Sequence, residues 1–230
     1  MAKADLKNFS PDMGAPKVLF AEFLGTCLLV LAAAGAGSAS GAIGGLMGGG
    51  GNGAWAAGLT LVVLVLMFGP VSGAHFNPAI SIGMMLSGRL SKTRLLPYLV
   101  AQFAGALVAG LILRVVLQSS VLGLTTTQMP ALAAIAMEAV LTFWLQWVIL
   151  AVTEKDVPLL QTALAIGFAL AAAGHWGGHL SGASLNPART LGPALAAWDL
   201  SQVWIYMIGP VVGAVAAAIV YRWYKELREP

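Results

Sequence analysis

Two short stretches, GAHFNPA at 73–79 and GASLNPA at 182–188, set Asn77-Pro78-Ala79 and Asn186-Pro187-Ala188 in matching surroundings. Proline suits the first position of a helix, where its missing N–H costs nothing. The asparagine before it stands at the cap, and the positive end of each helix points at whatever lies beyond. This is electrostatic chemistry rather than bond-making chemistry. Arg189 follows the second triplet directly and adds a full positive charge. Glu22 and Glu138 each place one carboxylate in a long apolar run, in AEFLGT and MEAVLT. With no chain of titratable partners beside them, they read as hydrogen-bond acceptors supporting nearby backbone, not as proton carriers. Three histidines remain. His75 precedes the first triplet and reads as a loop-ordering residue, with gating as the alternative. His175 and His179 read as polar residues of an outer vestibule, His179 on the loop, with metal binding or pH sensing as the alternative.

Other chemistries find no support. The single cysteine, Cys27, excludes an internal disulfide and a multi-cysteine metal site, and it reads as a small apolar packing residue. No Ser/His/Asp set, metal-binding cluster or catalytic carboxylate pair stands at useful spacing, so neither an enzyme nor a resident metal or cofactor is expected. The glycine run MGGGGNG at 47–53 has no strand before it and no Lys-Ser/Thr after it. It reads as a flexible outer loop, not a phosphate cradle.

The elements that position these residues must lie in a membrane. Hydrophobic residues make up 59% of the 230 and charged residues only 9%, against about a quarter charged in a soluble domain. The net charge of +3 gives no case for nucleic acid. A transmembrane helix needs about 20 mostly apolar residues. Six stretches qualify, near 17–40, 54–72, 95–117, 131–152, 159–176 and 202–223. Two more, near 78–87 and 187–197, are too short to cross, and each follows an Asn-Pro pair. The first run is longer than the core of a signal peptide and is read as a retained span. Ten of the twelve Lys and Arg fall on one side of a six-span chain, and the connections 41–53 and 118–130 carry no charge. The positive-inside rule then puts both termini in the cytoplasm. Arg114 and Arg189 are the two exceptions.

The halves repeat one another. AEFLGT matches MEAVLT, GAHFNPA matches GASLNPA, and QFAGALVAG matches GPVVGAVAA. The repeats cover about 17–117 and 131–223 of a single domain. Each half has three spans, so the second runs through the membrane inverted, an arrangement that places function at the interface near the midplane. Each short piece enters from its own side and stops midway. Irregular backbone at that depth is tolerated where it is buried or lines water, so a water-filled central path is expected.

The two NPA triplets, the paired Glu residues, SGAHFNPA and NPARTLGPA together resemble the aquaporin, or major intrinsic protein, family from Glu22 to about Tyr221. The resemblance implies a right-handed bundle of six helices with two re-entrant half-helices, commonly a homotetramer with one pore per subunit. It implies passive flow of water or small uncharged solutes across a cell membrane. Asn77 and Asn186 would then offer N–H groups to the permeant, and Arg189 would stand at the outer constriction.

The family's filter has four positions. Twenty residues before Asn77 stands Ala57; twelve and three before Asn186 stand Gly174 and Ala183; Arg189 is the fourth. Water-selective members carry an aromatic and a His where this chain has Ala57 and Gly174. Glycerol channels carry large aromatics and an Asp where it has Thr190. The set is similar to the nodulin-like intrinsic subfamily, as are Thr190, Ala194, Tyr206 and Met207. It implies a wide constriction passing water, urea, glycerol or metalloid acids such as arsenous, boric or silicic acid. A one-residue shift would instead aim His175 into the filter and leave a water channel. An ion-coupled transporter, needing Glu22 or Glu138 as the carrier of the coupled ion, and a closed-pore junction protein are the rivals from other classes.

Overall fold

The computed structural model describes residues 15–42, 51–118, 122–154 and 157–227. Among them the regular elements are eight helices: α1 (Ala15–Ala42), α2 (Gly51–Ser72), α3 (Pro78–Leu86), α4 (Lys92–Leu117), α5 (Ala131–Glu154), α6 (Leu159–Ser181), α7 (Pro187–Ala197) and α8 (Val203–Glu226). Six are long and apolar enough to span a bilayer, and α3 and α7 are the two half-length elements. In hydrocarbon every backbone polar group needs a partner within the protein, which is why the crossing elements are helices. Large apolar side chains such as Leu96, Val115, Leu132 and Ile219 face outward. An exposed belt of this kind suits lipid rather than water. The chain is a multi-pass membrane protein.

The halves share one plan. In the first, α1 packs on α2 and α4; in the second, α5 packs on α6 and α8. The halves meet where α2 crosses α6, and they exchange their short helices: α7 lies mainly on α4, and α3 mainly on α8. Lipid offers no hydrophobic drive between helices, so close backbone approach through small residues does the joining. Gly105 of α4 faces the Phe23 carbonyl of α1, and Gly213 of α8 faces the Ala139 carbonyl of α5. A Cβ at either position would overlap that oxygen.

Most helix ends fall within three residues of the expected spans, and two differences bear on the motifs. The glycine run ends inside α2, which begins at Gly51, while 47–50 lie outside the described residues. The second difference moves His179. Helix α6 continues five residues past the expected end, so His179 sits in its last turn rather than on a loop. The apolar stretch ends near 176, but Gly177 packs closely on Leu141 and the helix runs through it. The stop comes at Gly182, whose φ of 90° is the left-handed cap that glycine adopts readily, and whose N–H bonds to the Gly178 carbonyl. Of the positive charges used for orientation, Lys3, Lys7, Lys155 and Arg228 lie outside the described residues.

Candidate functional site

Two loops, 73–77 and 182–186, dip into the bundle to reach α3 and α7. Their backbone is costly to hold. Ala74, Phe76, Ala183 and Leu185 all have positive φ, between 44° and 55°, and each such residue stores on the order of 1 kcal/mol. Hydrogen bonds from the spans offset that strain. Glu22 on α1 is fully buried and takes four. Ser72 Oγ (2.6 Å) and the His75 N–H (3.0 Å) donate to one carboxylate oxygen, and the Phe76 N–H (2.7 Å) and Gln102 Nε2 (2.8 Å) donate to the other. Glu138 on α5 does the same for the second loop, accepting from Ser181 Oγ (2.7 Å), the Ser184 N–H (3.0 Å) and the Leu185 N–H (2.8 Å). Tyr98 and Tyr206 tie down the approach to each loop by donating to the Ser72 and Ser181 carbonyls.

The asparagines fasten the loops to each other. Asn77 Oδ1 accepts from the Ala79 N–H at 2.9 Å, and Asn186 Oδ1 accepts from the Ala188 N–H at 2.9 Å. Pro78 and Pro187 occupy the first helical positions. Asn77 Nδ2 donates to the Leu185 carbonyl (2.8 Å), and Asn186 Nδ2 donates to the Phe76 carbonyl (2.9 Å). Each amide has two N–H groups, so one remains for a solute. Both asparagines line a cavity of about 1530 Å³. That cavity runs from Arg89, Glu154 and Lys225 at one end, past Asn77 and Asn186, to Trp55, His179 and Asp199 at the other.

Ala57, Gly174, Ala183 and Arg189 all line this cavity, as do His75, His175 and His179. Gly174 lies against α2: a Cβ there would stand 2.6 Å from that of Ala54. His175 is exposed toward the mouth, its ring edge-on to Trp55 at 5.4 Å between centroids. His75 is buried beside Tyr98, with Nδ1 3.1 Å from Ser81 Oγ. Ser184 stands in the corresponding place of the second loop and bonds Thr190 at 2.6 Å. Pro78, Ala79, Pro187 and Ala188 are buried at the half-helix starts. Cys27 is buried against Val30, Ala106 and Ala188.

The family model for major intrinsic proteins matches residues 11–221 of this chain. The chain belongs to that family. Among its relatives, aquaporin NIP2-3 of Zea mays is 36% identical over 219 residues, covering 94% of this chain and 72% of the maize protein. Putative aquaporin NIP4-1 of Arabidopsis thaliana is 35% identical, over 75% of this chain and 62% of that protein. Aquaporin Z of Bradyrhizobium diazoefficiens is 33% identical, over 74% and 77%. The X-ray structure of the aquaglyceroporin from Plasmodium falciparum superposes with a TM-score of 0.82 at 25% identity, covering 90% of this chain and 96% of that one. This major intrinsic protein is a membrane channel of the class that passes water and small solutes, and not an enzyme.

Sequence reasoning missed several partners of the aquaporin loops. Arg189 donates to the Gly123 carbonyl at 2.9 Å and to the Thr125 hydroxyl, both on the α4–α5 connection. Thr125 also accepts from Thr190 at 3.2 Å, so one hydroxyl steadies two neighbours on α7. The signal was the threonine run at 125–127, the polar part of a connection noted only for lacking charge. Arg114 has its account here too: it donates to the Ala196 carbonyl in the last turn of α7, where a cation suits the negative helix end. At the opposite mouth Arg89 donates to the Leu150 carbonyl (2.9 Å) and Thr153 Oγ1 (2.5 Å), and Glu154 pairs with Lys225 at 2.8 Å.

Proposed function

We propose that this channel conducts small uncharged solutes as well as water, passively, through a filter made by Ala57, Gly174, Ala183 and Arg189. The observation that carries the reading is the makeup of the cavity at these four positions, where Arg189 alone has a long side chain. The methyl groups of Ala57 and Ala183, with bare backbone at Gly174, leave room beside the guanidinium. Exposed carbonyls and the spare N–H groups of Asn77 and Asn186 then exchange hydrogen bonds with urea, glycerol or a hydroxylated metalloid acid. The similarity to nodulin-like intrinsic aquaporins supports this range. The Arg189 charge and the inward-facing N-termini of α3 and α7 oppose protons and cations. No coupled ion is required, since Glu22 and Glu138 hold the loops. The assembly is a homotetramer in the cell membrane, with the Arg89–Lys225 mouth cytoplasmic.

Stopped-flow light scattering on proteoliposomes tests this, comparing water, urea and glycerol for wild type and Ala57→Phe. Wild type should pass all three, and the variant should lose urea and glycerol while keeping water. A wild type that passes water alone overturns the wide filter and makes His175 the residue that narrows the pore.

A further inference from the structure

We propose that His175 and His179 form a transition-metal site at the Trp55–Asp199 mouth, and that an ion bound there obstructs the pore. The obstruction rests on the channel reading above; the site itself does not. The two imidazoles are four residues apart on α6, which puts their Cβ atoms about 5–6 Å apart on one face. That spacing lets two histidines on one helix share a zinc ion. Both side chains are exposed and both line the cavity. Gly178, between them in sequence, has nothing within 4 Å of the place a Cβ would take, so this face is open to an ion and its waters. The edge of Trp55 restrains the His175 ring.

Charge favours a cation at this position. His179 is in the last turn of α6, where the helix end is negative. Asp199 lines the same mouth, and bonds from the Ser201 hydroxyl and N–H hold its carboxyl below the ordinary range. Arg189 lines the same cavity, and its charge opposes passage of the ion further along it. Among the described residues no group of three His, Cys, Asp or Glu is placed to hold a metal. Water therefore completes the coordination, and binding is readily reversed. Imidazole ligands select by the Irving–Williams order, so Cu²⁺ should bind tighter than Ni²⁺, with Mn²⁺ weak and Mg²⁺ inert.

The test uses tag-free protein in a non-chelating buffer. Isothermal titration of NiCl2 into detergent-solubilised wild type, His175→Ala and His179→Ala reads the site. Each variant removes a direct ligand, so each should bind at least about tenfold more weakly. Urea or water flux into proteoliposomes, with and without NiCl2 or MgCl2, reads the obstruction. Flux with metal is divided by flux without it for each protein, so a change in basal flux cancels. Nickel should reduce the wild-type ratio, a chelator should restore it, and either variant should hold it near one. Equal nickel affinity in wild type and His179→Ala overturns the site. Tight binding that leaves flux unchanged overturns the obstruction. A wild type that passes neither water nor urea sinks the channel reading, while the titration still decides the site.

Discussion

A carboxylate that takes four donors from two neighbouring helices and a strained loop is hard to replace, and Glu22 is in that position. Its four bonds, with three more at Glu138, are charge-assisted, and bonds to a charged group contribute about 1.5–3 kcal/mol each. Replacement by Ala leaves Phe76 and His75, or Ser184 and Leu185, with buried N–H groups and no acceptor. Glu22→Ala and Glu138→Ala should each lower thermal stability in detergent by more than about 3 kcal/mol. Gln keeps one acceptor oxygen but turns an N–H₂ toward other donors, so its loss should be intermediate. Ala variants as stable as wild type would show that the carboxylates are not what holds the loops. Arg189 shows why such a site reads unevenly from sequence. Its charge in an apolar run is conspicuous, but Thr125, which receives it, lies 64 residues away among unremarkable neighbours.

Helix contacts raise a different question: how closely two backbones approach. Gly105 and Gly213 occupy corresponding places, each against a carbonyl of the first span of its own half. Adding a methyl forces two helices apart, and overpacking typically costs about 1–3 kcal/mol. Gly105→Ala and Gly213→Ala should both lower the melting temperature, by similar amounts because the contacts are alike. A neutral result at either would mean that the interface yields there. Apolar runs of spanning length and two Asn-Pro stops are local features, and α1 to α8 follow them closely. The end of α6 does not. Gly177 and Gly178 look like punctuation until Leu141, from another helix, packs on the first of them. Arg114 is similar: its carbonyl partner on α7 is 82 residues away, and no local pattern announces it. What stays illegible in the sequence is contact between distant segments.

At the level of the whole molecule, charge placement predicts direction. Arg89, Glu154 and Lys225 gather at one mouth, and the positive-inside rule assigns that mouth to the cytoplasm. Cysteine labelling of cells tests the assignment, because the native Cys27 is buried. Asp199→Cys should react with an impermeant maleimide from outside, and Lys225→Cys only after the membrane is opened; the reverse pattern would invert the chain. The crossed asparagines also bear on how the protein is made. Asn77 bonds a carbonyl 108 residues further along. A ribosome adding about 5–20 residues per second takes roughly 5–20 seconds to supply it. Throughout that interval the first loop hangs from Glu22 and its own short helix, with no counterpart to clasp. Neither half can complete its own loop. The channel closes its centre only when the last quarter of the chain arrives, so a truncated product would lack a finished pore, not carry half of one.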